Sequence, residues 1–352
     1  MPLRPSALLT IPMALILSAA DAPSTNEPVF SPDRIRADVT YLADDKLEGR
    51  LTASNGYFVA AAYVADRFAE LGMKPGGDVE KWFQLVPVRL SDGKTDRTYR
   101  APNVIGIIPG SDPALKDEYV VISAHLDHIG KGRPGGSDMI YNGAMDNASG
   151  VATMLEAARA FTTDGKPPRR SIMFVALAGE EQGLLGSSYL ARHPLVGGGK
   201  IVANVNLDMP LLLYDFQDIV AFGAEHSTMG PIVAAAAAKM GVTLSPDPVP
   251  SENLFVRSDH YSFVKAGVPS VFLVPGFKNG GEKAFRDFEK SHYHRVSDDL
   301  SLPFDWNAGA KFAKLNYLIA REIADSDQAP LWYAGNTYGN RYAKKAPKAP
   351  KP

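Results

Sequence analysis

Residues 119–124 read YVVISA and residues 171–178 read SIMFVALA, two short apolar runs that decide the fold. Runs of this length and composition are typical of strands that are buried on both faces of a sheet. Helical patterns separate them from further apolar runs, which is the order expected of a sheet with helices on both sides. We therefore predict an α/β fold, a three-layer α/β/α sandwich around a mixed, largely parallel β-sheet. The other predicted strands are 104–108, 201–207, 219–222 and 270–274, and the predicted helices are 151–161, 187–192, 229–240 and 305–324.

The N-terminal residues resemble an export signal. Arg4 is the only charged residue before Asp21, residues 8–17 are apolar except for Thr10 and Pro12, and small residues follow at 18–20. This pattern predicts a signal peptide over residues 1–20 and an exported protein, periplasmic or secreted. The apolar run is too short to span a bilayer, and no later stretch is long enough, so we predict no membrane span in the mature protein.

After this segment we predict a single catalytic domain over residues 28–330 that begins with helices. Ser31 is suited to cap the first of them, and residues 57–71 form an amphipathic helix that ends at Gly72. Residues 343–352 consist of Lys, Ala and Pro alone, a composition that predicts a disordered tail.

Composition limits the function. Hydrophobic residues make up 45% of the chain and charged residues 22%, as in ordinary globular proteins. A net charge of −2 gives no reason to expect a nucleic-acid partner. Because the chain has no cysteine, any metal must be held by nitrogen and oxygen ligands.

Acidic residues and histidines follow the predicted strands. The carboxyl ends of neighbouring parallel strands meet at one edge of a sheet, where ligands bind. Carboxylates crowded together there repel one another and need cations nearby. The residues concerned are His125, Asp127, Asp146, Glu180, Glu181, Asp208, Tyr293 and His294.

The same residues lie in five motifs whose order resembles one enzyme family. The motifs are HLD at 125–127, GAMDNASG at 143–150, GEEQGLLGS at 179–187, NLD at 206–208 and YHRVSD at 293–298. Together they are similar to the two-zinc aminopeptidases of peptidase family M28, over residues 103–324. The roughly eighty residues between the predicted signal peptide and Asn103 are too few for the protease-associated domain that larger members insert.

The resemblance implies two zinc ions. His125 and Asp208 are expected to bind one ion and Glu181 and His294 the other, with Asp146 bridging them. It also implies a cis peptide bond between Asp146 and Asn147. His292 competes with His294 for the second site, because alternation in an extended segment gives both the same facing; only the motif separates the two. We place His128 at the rim of the crevice.

The other roles also follow from the resemblance. Glu180 is expected to act as general base on a metal-bridging water, and Asp127 to hold the second nitrogen of His125. Tyr293 is expected to steady the oxyanion. Asp259 and His260 are expected to lie behind the ligands or on the substrate side.

The best interpretation is a zinc metallopeptidase that acts on peptides as an aminopeptidase. A carboxypeptidase or acyl-amino-acid amidohydrolase is the first alternative. In such an enzyme Arg257 or Arg295 would bind the carboxylate of the substrate. A glutaminyl cyclase-like enzyme is the second. A non-catalytic binding homologue is the third, although every ligand and the base are present.

Overall fold

A computed structural model describes residues 27–79, 81–91, 96–132 and 138–352. The predicted signal peptide over residues 1–20 lies outside these ranges. The strands are β1 (Lys74–Pro75), β2 (Phe83–Ser91), β3 (Asp96–Ile108), β4 (Glu118–His125), β5 (Gly130–Lys131), β6 (Ile140–Tyr141), β7 (Ser171–Leu177), β8 (Lys200–Leu207), β9 (Asp218–Phe222), β10 (Thr243–Ser245), β11 (Ser270–Pro275), β12 (Trp332–Tyr333) and β13 (Lys348–Ala349). The helices are α1 (Pro32–Leu42), α2 (Asn55–Glu70), α3 (Ser149–Thr163), α4 (Leu185–Arg192), α5 (Met229–Ala238), α6 (His260–Lys265), α7 (Gly281–Ser291), α8 (Trp306–Asp325) and α9 (Thr337–Tyr342).

The main sheet is mixed, as predicted. Its strands lie in the order β1-β3-β7-β4-β8-β11-β9-β10, with β2 paired to β3. The four central strands β7, β4, β8 and β11 are parallel to their neighbours in this group. On each side of this group the pairing becomes antiparallel, between β3 and β7 on one side and between β11 and β9 on the other. The parallel part is therefore the centre of the sheet, and its carboxyl ends meet at one edge.

Helices cover both faces of the sheet, which confirms the three layers. Successive residues of β4 point to opposite faces. Val120 and Ile122 pack into the cluster that contains α1, α3 and α8, whereas Val121 packs with Leu190 of α4 and Phe263 of α6. These strands are buried along nearly their whole length because each face meets a helix layer.

Two predicted helix starts are confirmed by their caps. The Ser31 side chain accepts a hydrogen bond from the backbone of Arg34 at the start of α1. The Asp305 side chain accepts one from the backbone of Ala308 at the start of α8. None of the helices in the described part of the chain has the length and apolar character that crossing a membrane requires.

Residues 343–352 were expected to be disordered, but they contain the short strand β13. Strand β13 pairs in parallel with β12, and the backbone of Ala334 donates a hydrogen bond to the carbonyl of Ala349 at 2.7 Å. A residue before proline prefers extended backbone, and Ala349 precedes Pro350. The Lys- and Pro-rich composition thus favours an extended segment that docks beside Trp332.

Candidate metal centre

The carboxyl ends of the central strands bring the predicted ligands together. His125 is the last residue of β4, and Asp208 follows β8 directly. Glu180 and Glu181 lie in the turn between β7 and α4, and Asp146 lies in the irregular helical turn Ala144–Ala148 that precedes α3. The peptide bond between Asp146 and Asn147 is cis, as the resemblance implied.

The first group of ligand atoms surrounds the His125 ring. Its Nε2 atom lies 3.1 Å from Asp208 Oδ1 and 3.2 Å from Asp146 Oδ1. The other Asp208 oxygen, Oδ2, accepts a hydrogen bond from Ser258 Oγ at 2.6 Å. All three predicted ligands are buried, and their atoms form a group that could hold a metal ion.

The second group uses the other oxygen of Asp146. His294 Nε2 lies 3.3 Å from Asp146 Oδ2 and 3.2 Å from Glu181 Oε2. Asp146 thus presents one carboxylate oxygen to each histidine. This is the arrangement expected of a residue that bridges two ions.

The structure separates the two competing histidines. The Nδ1 atom of His292 lies 3.0 Å from Ser297 Oγ and does not contact the carboxylates of the site. The segment is not extended as assumed, because it follows the end of α7 and His294 has a left-handed φ of 55°. The two rings therefore point in different directions.

His128 does not lie at the rim of the crevice, where the sequence analysis placed it. The side chain is fully buried, and its Nδ1 atom lies 2.8 Å from Glu181 Oε1. The earlier placement was wrong because Gly143, which has no side chain, leaves room for the His128 ring inside the fold.

The donor atoms fit divalent metal ions such as zinc. Two ligand atoms on a tetrahedral zinc with ordinary bond lengths are about 3.3 Å apart. The four contacts of His125 and His294 range from 3.1 to 3.3 Å. Imidazole nitrogens and carboxylate oxygens are zinc ligands, and the groups are exposed to a cavity on one side, as in catalytic sites.

Charge balance points the same way. Burial acts to raise the pKa of Asp146, but the imidazoles of His128, His125 and His294 hold it well below its ordinary value. Burial acts to lower the pKa of His294, and the carboxylates of Asp146 and Glu181 raise it to about 10. The carboxylates are therefore kept ionised by positive charge beside them, which is also what a divalent metal ion supplies.

Asp127 holds the turn that carries the two glutamates. Its carboxylate accepts hydrogen bonds from the backbone of Glu180 at 3.2 Å and of Glu181 at 3.3 Å. Thr52 Oγ1 donates a third at 2.8 Å. The Asp127 carboxylate was expected to contact His125, but its Oδ1 atom lies 4.0 Å from His125 Nδ1. The backbone carbonyl oxygen of Asp127 is closer, at 3.1 Å from the same nitrogen.

Glu180 faces the cavity beside the ligands. Burial and the neighbouring carboxylates raise its pKa well above the ordinary value for a glutamate. A carboxylate with a raised pKa is a stronger base, which suits the transfer of a proton.

Tyr293 also lines the cavity, and its ring stacks on that of His294 with 3.9 Å between the centroids. Burial and the site carboxylates raise the pKa of its hydroxyl, so the hydroxyl stays protonated and can donate a hydrogen bond. Its predicted role at an oxyanion stays a prediction.

Asp259 and His260 lie behind the site. Both are fully buried and neither lines the cavity. Burial raises the pKa of Asp259 to about 7, whereas it lowers the pKa of His260 to about 3. His260 Nε2 lies 2.6 Å from the carbonyl oxygen of Phe255, so a neutral ring donates there.

Arg50 was not among the predicted site residues. Its buried guanidinium donates to the carbonyls of Leu126 at 2.9 Å, Asn142 at 2.6 Å and Gly143 at 3.0 Å, and also to that of Leu42. These bonds fix the segments that follow His125 and precede Asp146. Burial lowers the pKa of Arg50 to about 10, which leaves it charged at neutral pH.

Asp298 belongs to the last motif but received no role from the sequence. It is fully buried, and its two carboxylate oxygens accept hydrogen bonds from the backbone of Met145 at 2.8 Å and of Asp146 at 3.0 Å. Burial raises its pKa to about 6.

A cavity of about 390 Å³ opens beside the two groups of ligands. One part of its wall carries the site carboxylates, and Glu289 adds another. Other parts of the wall are apolar and include Leu211, Val220, Phe222, Val256, Phe272 and Val274. Arg257 also lines the cavity, whereas Arg295 is exposed and outside it.

Comparisons with known proteins identify a family and a shared fold. The model of peptidase family M28 matches residues 103–320. A probable leucine aminopeptidase of Arthroderma benhamiae is 32% identical over 220 residues, which cover 58% of this chain and 56% of the relative. The chain spans about half the length of the curated relatives that it matches.

Solved structures share the fold. A zinc aminopeptidase from Bacillus subtilis has a TM-score of 0.61 at 16% identity, with 85% of this chain and 96% of that chain covered. Glutaminyl cyclase from Porphyromonas gingivalis also has a TM-score of 0.61, at 18% identity, with 84% and 99% covered. At such identities the likeness concerns the fold alone.

Proposed function

The chain belongs to peptidase family M28, and from this premise we propose that it is a two-zinc metallohydrolase that releases N-terminal residues from peptides. The observation that carries the proposal is the position of Asp146. Its two carboxylate oxygens face two separate groups of ligands, 3.2 Å from His125 and 3.3 Å from His294. A shared carboxylate of this kind is typical of sites with two metal ions.

The chain's own residues supply the proton transfers. When bound, two zinc ions polarise the amide carbonyl and make water a better nucleophile at neutral pH. Glu180 takes a proton from the attacking water and later gives it to the leaving amine. Asp127 keeps Glu180 in place through the backbone amide. Tyr293 donates a hydrogen bond to the oxyanion as it forms.

The charge of the cavity favours a free amino terminus over a free carboxylate. Among the described residues, five carboxylates line the cavity and one arginine does, Arg257. The Arg257 side chain is half exposed and lies 4.0 Å from Glu252. The two metal ions offset the charge of the ligand carboxylates, so Glu289, which is not a predicted ligand, is the carboxylate that attracts a protonated amino terminus.

The apolar wall suggests which N-terminal residues are released. Leu211, Val220, Phe222 and Val274 offer carbon surface beside the ligands. Burial of a leucine or phenylalanine side chain against such a wall contributes about 1.5–3 kcal/mol. We therefore propose a preference for large apolar N-terminal residues.

An assay with matched peptides tests the proposal. The zinc-loaded protein is incubated with a leucyl peptide, its N-acetylated form, its C-amidated form and a peptide that begins with glutamine, each with and without chelator. We expect release of leucine from the free and the C-amidated peptides, and no release with chelator. Cleavage that survives N-acetylation, or needs a free carboxylate, would contradict an aminopeptidase. Cyclisation of the glutaminyl peptide without hydrolysis would identify a cyclase-like enzyme.

We also propose that the protein is exported to the periplasm or secreted. Support comes from the N-terminal residues alone, where one basic residue, an apolar run and small residues follow one another. Expression of the full chain with fractionation tests the proposal, since a chain that keeps its first residues and stays in the cytoplasm would contradict it.

A further inference from the structure

His128 is a buried side chain whose two ring nitrogens have no hydrogen-bond partner. Glu181 Oε1, its nearest neighbour, also has none, although His128 Nδ1 lies only 2.8 Å away. The two atoms are close, but they are not aligned as donor and acceptor. Buried polar atoms left without a partner are rare because each costs about 1–3 kcal/mol. A shared metal ion would satisfy His128 Nδ1 and Glu181 Oε1 and leave only Nε2 without a partner.

The distances place His128 with the second group of ligands. Its Nδ1 atom lies 2.8 Å from Glu181 Oε1 and 3.7 Å from Asp146 Oδ2. These values lie on either side of the roughly 3.3 Å between two ligand atoms on one tetrahedral zinc. The Nδ1 atom, with oxygens of Glu181 and Asp146, forms a group that could hold a metal.

The His128 ring packs closely against Gly143. A Cβ atom at Gly143 would lie 2.6 Å from His128 Cγ, so only glycine leaves room for the imidazole. Gly143 has a left-handed φ of 59°, and Arg50 binds its carbonyl. The His128 and His294 rings meet edge to face, with 5.8 Å between the centroids. Both imidazoles therefore border the same carboxylates.

We propose that His128 Nδ1 is a protein ligand of the second metal ion, beside Asp146, Glu181 and His294. The inference rests on the proposed two-metal function. It makes the two sites unequal: one ion is held by His125, Asp146 and Asp208, the other by two histidines and two carboxylates. A fourth protein ligand makes the second ion the more tightly held, while the first keeps more open positions.

Metal binding to His128→Phe tests the proposal without relying on activity. Zinc content and affinity are measured by equilibrium dialysis against a chelator-buffered zinc series. His292→Phe is the matched control, because His292 is near but turned away from the carboxylates. We expect two ions in wild type and in the control, and a loss of about 10-fold or more in the affinity of the second ion in His128→Phe. Unchanged affinity would overturn the proposal.

X-ray absorption of the zinc-loaded wild-type protein counts the bound imidazoles directly. If His128 is a ligand, we expect three histidine imidazoles bound to the two zinc ions. Two histidines for two ions would overturn it while leaving the two-metal function intact, and would limit His128 to positioning Glu181. A wild-type protein that binds zinc at one site or none would overturn both. Because this measurement needs no variant, it remains decisive even when His128→Phe does not fold.

Discussion

The carboxylate of Asp298 holds the backbone of Asp146, with 3.0 Å between Oδ2 and the amide nitrogen. The other oxygen binds the neighbouring amide of Met145. Asp298 lies four residues after His294, so these bonds join the segment of one ligand to the segment of the bridging ligand. The position of both ligands therefore depends on Asp298.

Asp298→Asn should weaken this connection. The amide keeps one acceptor but turns an N–H group toward a backbone donor, and leaving such a buried donor unpaired costs about 1–3 kcal/mol. We expect a lower melting temperature and weaker zinc binding, measured by calorimetry and by competition with a chelator. Asp299→Asn is the neighbouring control and should change neither. Wild-type zinc affinity in Asp298→Asn would contradict the role.

Arg50→Met should destabilise the protein strongly. The change removes a buried guanidinium and leaves the carbonyls of Leu126 and Asn142 without a donor, whereas that of Gly143 keeps the backbone amide of Ala148. We expect a loss of about 3 kcal/mol or more in the free energy of unfolding, measured with urea. The exposed Arg36→Met is the control and should lie within about 0.5 kcal/mol of wild type. A similarly small loss in Arg50→Met would show that the guanidinium is not needed.

The sequence predicted most of the side chains that meet at the carboxyl ends of the central strands and few of the residues that support them. His125, Glu180, Glu181 and Asp208 follow central strands whose apolar runs are easy to recognise, and parallel strands place their carboxyl ends together. Arg50 was missed because it acts across long sequence separations, and no periodic pattern marks it. The one available signal was the LEGR segment at 47–50, a glycine and an arginine in a turn between two helices.

The structure also corrected inferences drawn from strand alternation. Alternation holds only while the backbone is extended, and His292 and His294 lie past the end of α7, where His294 has a left-handed φ of 55°. Burial of His128 depends on Gly143, which is close in space and distant in sequence. The C-terminal residues were predicted from composition alone, and composition does not reveal a partner such as β12.

Acid should destabilise the protein through His260. Burial lowers the pKa of this ring to about 3, from an ordinary value of 6.5. Because the folded state binds its proton less readily than the unfolded chain, the stability is complete above about pH 6.5 and falls as the pH drops toward 3. The loss over this range is roughly 4 kcal/mol.

His260→Gln tests this origin, because the amide keeps a donor for the Phe255 carbonyl but does not titrate. We expect the variant to lose less stability than wild type between pH 7 and pH 4, in melts of metal-free protein. Equal slopes in the two proteins would place the acid sensitivity elsewhere.

Val274→Asp should change the side-chain preference. Val274 lies in the apolar wall of the cavity, so a carboxylate there penalises apolar side chains and attracts basic ones. We expect kcat/KM for leucyl peptides to fall at least about 10-fold, with a smaller loss for lysyl peptides. Equal losses for both would indicate that the wall does not contact the N-terminal side chain. Zinc content serves as the control for an intact site.

The most direct test of the central claim is the rate at which zinc-loaded Glu180→Gln hydrolyses a leucyl peptide. The glutamine keeps the shape of the side chain but cannot accept the proton. We expect a fall in kcat of about 100- to 10,000-fold with zinc content unchanged. A rate equal to that of wild type would contradict Glu180 as the base, and with it the proposed hydrolysis at this site.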